Sequence, residues 1–143
     1  MEIAQLIAGR SASDIVSCNA GASVAEAIAL LAEKRIGAVP VLENGALAGI
    51  FSERDVIYRM AAEGSSCLDS KVGEVMTAPA ITVEKTARVD EALGLMSRRR
   101  IRHLPVTDNG AICGFISIGD LVKSRIDEVE HEAQAMREYI TAG

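Results

Sequence analysis

Gly49-Ile50-Phe51-Ser52-Glu53-Arg54-Asp55 is followed, 65 residues later, by Gly114-Phe115-Ile116-Ser117-Ile118-Gly119-Asp120 (49 to 114). Ile36-Gly37-Ala38-Val39-Pro40-Val41 returns at the same distance, 65, as Ile101-Arg102-His103-Leu104-Pro105-Val106 (36 to 101). The register runs without a gap from Val16/Ile81 to Ile57/Val122. Roughly a third of its pairs are identical, far more than chance produces at a fixed offset. The chain is one unit written twice, so two related sites about a pseudo-two-fold axis are expected.

Each unit reads the same way. A short extended stretch (Asp14 to Cys18; Ala80 to Val83) opens it. A helix follows, with its apolar stripe on Val24, Ala27, Ile28 and Leu31 in the first copy and Val89, Ala92, Leu93 and Met96 in the second, at i, i+3, i+4, i+7. Ser23 is placed to cap the first of these helices, and Asp90 is a first-turn acid in the second. Two strands come next, Ala38 to Leu42 and Leu47 to Phe51, then again Leu104 to Thr107 and Ile112 to Ser117. Asn44-Gly45 and Asn109-Gly110 join them, and Asn-Gly between apolar runs is a strong hairpin signal. A second helix closes the unit. The expected fold is α/β (α+β): two β-α-β-β-α repeats plus a C-terminal helix. Repeat 1 with an N-terminal helix and linker is assigned to 1–70, repeat 2 to 71–126 and a helical extension to 127–143. The linker is expected near Ala62 to Ser70, which is rich in Gly and Ser. Ala4-Gln5-Leu6-Ile7 also resembles Gly73-Glu74-Val75-Met76, but at an offset of 69 (4 to 73). Four residues around Gly9 to Ala12 therefore stand outside the repeat.

Bulk properties narrow the class. A repeat of about 45 residues buries too little surface to stand alone, so the two should share one body. With 49% hydrophobic but only 3% aromatic residues, the core has to be aliphatic. The net charge of −5 disfavours nucleic acid or an anionic membrane as partner. No stretch approaches the length of a membrane span. Cys18, Cys67 and Cys113 are odd in number and scattered, which suits a reduced, cytoplasmic protein rather than a disulfide framework or a metal site.

The apolar-x-Pro strand ends at Pro40 and Pro105, the duplicated Gly-φ-φ-Ser-x-x-Asp (φ apolar) at Gly49 to Asp55 and Gly114 to Asp120, and Val72-Gly73-Glu74-Val75-Met76-Thr77 as a lead-in together resemble a tandem pair of CBS domains, the cystathionine-β-synthase-type regulatory unit that forms a Bateman module. The resemblance spans about Ile3 to Ile126. It implies an adenine ligand (AMP first, with ADP, ATP, S-adenosylmethionine or NAD as alternatives) in two clefts between the repeats. It further implies that Asp55 and Asp120 hold the ribose hydroxyls, with Ser52 and Ser117 near phosphate. Ala38, Val39 and Pro40, and His103, Leu104 and Pro105, would line adenine pockets with Val16, Ser17, Ile81 and Thr82.

Those residue types suit the task. An ionised Asp accepts both hydrogen bonds of a vicinal diol. Ser three residues earlier opens a helix, where unpaired N–H groups attract an anion. Ser-x-x-Asp is equally a variant capping box that needs no ligand. Arg98 and Arg99 read as a solvated helix end answering the macrodipole. Arg102 and His103 enter the strand beside the expected cleft and suit phosphate oxygens. The first repeat has Gly37-Ala38 there, with Arg54 as its nearby cation, so the two sites should differ.

Past Val122, the apolar residues Val122, Ile126, Val129, Ala133, Met136 and Ile140 alternate steps of four and three. This seam either packs back on its own domain or pairs two copies, and homodimerisation is favoured. His103 and His131 lie far apart with no paired nucleophile or metal spacing, so no catalytic residue and no required cofactor is expected. The leading function is a stand-alone, energy-sensing regulatory module that binds an adenine nucleotide and acts on a separate target protein. The alternative is a scaffold with vestigial sites.

Overall fold

The computed structural model describes residues 1–142. Each half is a three-stranded sheet backed by two helices. In the first, β1 (Cys18–Asn19), α2 (Val24–Lys34), β2 (Ala38–Glu43), β3 (Ala46–Ser52) and α3 (Glu53–Glu63) follow a short α1 (Ile3–Leu6). After α4 (Val72–Val75), the second repeats the order with β4 (Val83–Glu84), α5 (Val89–Arg99), β5 (His103–Asp108), β6 (Ala111–Ser117) and α6 (Ile118–Ala142). The sheets are ordered β1-β2-β3 and β4-β5-β6, parallel at the first pair and antiparallel at the second.

The local signals explain these elements. Val24, Ala27 and Leu31 of α2, and Val89, Ala92 and Met96 of α5, are buried against the sheets. The Ser23 hydroxyl caps α2 by accepting from Glu26 N–H at 3.1 Å. Asn44 and Gly45 stand at φ 53° and 79°, Asn109 and Gly110 at 52° and 84°. Both hairpins therefore turn through two left-handed residues, which matches the twist of the flanking strands. Each sheet slips register once, between Val41 and Leu42 and between Val106 and Thr107.

Two expectations change. The first strands are shorter and later than Asp14 to Cys18 and Ala80 to Val83. Parallel pairing is confined to Cys18↔Val41 and Asn19↔Leu42, and to Val83↔Val106 and Glu84↔Thr107. Asp14 instead closes a 3-10 turn, Ala12–Asp14. The stretch Ala62 to Ser70 is not a loose linker: α3 runs to Glu63, and a 3-10 helix, Gly64–Asp69, buries Cys67 completely. The extension assigned to 127–143 is the continuation of α6, one helix from Ile118; its residue 143 lies outside the described residues.

The halves are held together by an exchange of lead-in segments. Ile3 of α1 belongs to the apolar core of the second half, with Val89, Met96, Leu104, Ile116 and Leu121. Val72 and Val75 of α4 belong to the core of the first, with Val24, Leu31, Val39 and Phe51. The backbone repeats the exchange. Ile3 N–H and Ala4 N–H donate to Ala87 and Lys85 carbonyls at 2.8 Å each, while Val72 N–H and Gly73 N–H donate to Ala22 and Ala20 at 2.8 and 2.9 Å. These partners match at an offset of 69 on one side and 65 on the other, in keeping with the two registers of the repeat. Burying each of these apolar side chains contributes on the order of 2 kcal/mol, so neither core is complete without the other half's lead-in.

Candidate functional site

Two cavities open between the halves, one at each Ser-x-x-Asp. The larger, about 420 Å³, is lined by Ser52, Arg54 and Asp55 of the first half and Ile81, Arg102 and His103 of the second. The smaller, about 280 Å³, is lined by Ser117, Asp120 and His103 with Val16 and Ala38. Ala38 and His103 occupy equivalent positions and line both. Each cleft thus draws one wall from each repeat.

β2 runs past the end of β1, whose pairing with it begins only at Val41. Ile50 is the antiparallel partner of Pro40, yet its backbone bonds go to Thr77, at 2.9 and 2.8 Å. In an antiparallel ladder such a pair directs its polar groups outward, so the missing N–H of Pro40 faces the strand-free side and breaks no bond. Of this stretch of β2, Ala38 is the residue that reaches the clefts. Val39, Leu104, Pro40 and Pro105 are buried, with Val39 and Leu104 side chains in the two cores. They line neither cavity, and neither do Ser17 nor Thr82.

Both acids form complete caps. Asp55 Oδ2 accepts from Ser52 N–H at 2.9 Å and lies 3.1 Å from the Ser52 hydroxyl; Asp55 N–H donates back to Ser52 Oγ at 3.3 Å. Asp120 Oδ2 accepts from Ser117 N–H at 2.9 Å, and Asp120 N–H donates to Ser117 Oγ at 3.1 Å. The capping interpretation therefore holds in both repeats. It uses one carboxylate oxygen and turns the other toward the cleft.

The cations are distributed unexpectedly. Arg54 and Arg102, one from each repeat, line the same Asp55 cleft. Arg54 also spans it, donating to the Arg100 carbonyl at 3.1 Å. His103 stacks on Phe115, with centroids 5.6 Å apart and planes 12° off parallel. Burial lowers its pKa against the opposing pull of Glu53 and Asp120, with Arg102 also lowering it, so the neutral imidazole is favoured at neutral pH. Arg98 and Arg99 are exposed on the last turn of α5, as a solvated helix end should be.

The CBS domain model matches residues 9–62 and 72–127, the two halves just described. The chain belongs to the CBS-domain family. Among its relatives, the mitochondrial CBS domain-containing protein CBSX3 of Arabidopsis thaliana is 36% identical over 131 residues, which are 88% of this chain and 64% of that protein. The chain therefore spans a little under two thirds of that relative. A solved structure of a protein with CBS domains from Burkholderia ambifaria superposes with a TM-score of 0.81 at 40% identity, covering 89% of this chain and 95% of that one. CBSX2, crystallised in complex with AMP, shares the fold with a TM-score of 0.75 at 23% identity, over 88% and 96% of the two chains.

The CBS pair also brings residues to its clefts that the repeat pattern does not single out. Tyr58 and Thr77 line the Asp55 cleft, and Arg10, Ser11 and Asp14 line the Asp120 cleft. Thr77 Oγ1 donates to Asp55 Oδ1 at 2.9 Å, and Arg10 Nη2 stands 3.5 Å from Asp120 Oδ1. The one signal for the second group is the four-residue break around Gly9 to Ala12, which reads as a loop change. Among the described residues, no group of three His, Cys, Asp or Glu is placed to hold a metal. No helix there is long and apolar enough to cross a membrane.

Proposed function

We propose that this CBS pair is a non-catalytic regulatory module that binds an adenine nucleotide, AMP first and ATP or NAD as alternatives, in its clefts. The observation carrying this reading is the duplicated carboxylate that gives one oxygen to a helix cap and turns the other into an inter-repeat cavity beside arginine. A diol and a phosphate are the two ends such a cleft suits. The AMP held by CBSX2, a protein of the same fold, supports it. The sixteen positions named from the sequence enter this reading unequally. Val16, Ala38, Ser52, Arg54, Asp55, Ile81, Arg102, His103, Ser117 and Asp120 line a cavity; Ser17, Val39, Pro40, Thr82, Leu104 and Pro105 line neither. Three cysteines outside any disulfide suit a reducing compartment such as the cytoplasm.

Occupancy has to reach a target through differential affinity for two shapes. Val122, Ile126, Val129, Met136 and Ile140 along α6 are exposed, as are Ile57 and Tyr58 on α3. Such a continuous apolar face on a water-exposed helix supports a homodimer, with the target protein reading its shape. The scaffold alternative rests on one observation: both caps are closed by protein groups alone.

The test is thermal unfolding against AMP, ADP, ATP, S-adenosylmethionine and NAD, with sedimentation alongside. A ligand at about 100 times its dissociation constant adds roughly 2.7 kcal/mol, a shift of several degrees. No shift with any of them at millimolar concentration favours the scaffold. Sedimentation as a monomer at micromolar protein removes the homodimer.

A further inference from the structure

The two clefts treat the second oxygen of their carboxylates differently. In the first, a neutral hydroxyl from Thr77 rests on Asp55 Oδ1 at 2.9 Å. The residue matching Thr77 at the 69-residue offset is Ala8, which has no hydroxyl to offer. In its place Arg10, from the four-residue stretch outside the repeat, sets a guanidinium 3.5 Å from Asp120 Oδ1. The turn carrying it is tied down: Arg10 N–H donates to Ile7 C=O at 3.0 Å, and Ser11 N–H to Asp14 Oδ2 at 2.9 Å. Both partners of the pair are partly solvated, 46% and 34% exposed, so the pair is weak and can be broken.

We propose that Arg10 is a specificity residue that makes the Asp120 cleft select phosphorylated nucleosides over bare ones. The proposal rests on the adenine-nucleotide reading above. A ribose diol reaching Asp120 has to displace the guanidinium. A bare nucleoside leaves Arg10 without Asp120, its one ion-pair partner among the described residues. A nucleotide brings a phosphate into the same cavity, at the mouth of α6, and Arg10 exchanges one anion for another with better fork geometry. The Asp55 cleft has no such gate, because a hydroxyl rotates away at little cost.

The isoleucine methyls give each cleft its own reporter: Ile15 and Ile36 line the Asp120 cavity, and Ile50 and Ile81 the Asp55 cavity. Titrating methyl-labelled protein with AMP and with adenosine reads both clefts in one unaltered chain. Arg10→Ala and Arg10→Gln are then compared with it. At Ile15 and Ile36, the preference for AMP over adenosine should fall by about tenfold or more in both variants. AMP binds more weakly and adenosine more tightly, while Ile50 and Ile81 report no change. Equal weakening of both ligands, or an unchanged preference, overturns the assignment of Arg10. AMP shifts confined to Ile50 and Ile81 overturn it while leaving nucleotide binding intact. If neither reporter set responds to AMP, the nucleotide reading and this proposal fall together.

Discussion

Gly49→Ala is expected to cost about 3 kcal/mol and lower the unfolding midpoint by about 10 °C. A Cβ at Gly49 would lie 2.6 Å from the Thr77 carbonyl oxygen and 2.8 Å from Met76 Sδ. The first of these is backbone and has nowhere to go. Thr77 is bonded to Ile50 in both directions, at 2.9 and 2.8 Å, which adds a rung to β3 directly beside Gly49. Making room for the methyl group means pulling that rung apart and shifting α4 out of the first core. Gly114→Ala is the control. Its nearest neighbour is Ile7 Cδ1 at 3.1 Å, the far end of a side chain that can rotate. Denaturant or thermal unfolding should therefore show a large loss at 49 and under about 1 kcal/mol at 114. Equal losses would mean that the two lead-ins dock in the same way, contrary to the structure.

The second large effect concerns the ligand. Asp55→Asn should weaken AMP at that cleft by about a hundredfold, through loss of charge-assisted hydrogen bonds worth roughly 1.5 kcal/mol or more each. The same substitution should cost little stability, because the amide oxygen still accepts from Ser52 N–H and keeps α3 capped. Asp55→Ala should weaken AMP as much and lose about 1 kcal/mol of stability besides. The pair of variants separates the two roles of one carboxylate, its Oδ2 on the cap and its Oδ1 on the cleft side. Calorimetric titration measures the first and thermal unfolding the second. Deoxyadenosine monophosphate adds an internal check. Missing one hydroxyl of the diol, it should bind the unaltered protein more weakly than AMP does and be less affected by Asp55→Asn. Unchanged AMP affinity in Asp55→Asn would reduce Ser-x-x-Asp to a helix cap.

Much of the fold is legible in the chain itself, because its signals are local. Asn-Gly sets two left-handed residues in a row and so makes a hairpin wherever it falls between apolar runs. Val24, Ala27 and Leu31 declare a buried helix face by spacing alone, and Ser23 declares where that helix begins. The 65-residue register then carries every such assignment from one half to the other. Even the lead-in match at 69 is legible, and the paired backbone bonds of Ile3 and Val72 follow it. The short parallel strands lie a few residues from where the apolar stretches put them, because two-residue pairings carry almost no pattern. The Gly and Ser of the 62–70 stretch suggest a linker, and the burial of Cys67 outweighs them.

Long-range docking has no comparable signature, since it depends on which surfaces are left uncovered once the local elements exist. Nothing in the chain order says that Ile3 completes the second core while Val72 and Val75 complete the first. Nor does spacing reveal that Arg54 and Arg102 meet in one cleft, or that Arg10 reaches Asp120 across 110 positions of sequence (10 to 120). The apolar residues of α6 are visible as a seam, but their exposure follows from Leu121 and Ser124 taking the inward face. The repeat and its elements are written in turn chemistry and periodicity. The two unlike clefts arise from the exchange of lead-ins and from four residues that interrupt the repeat.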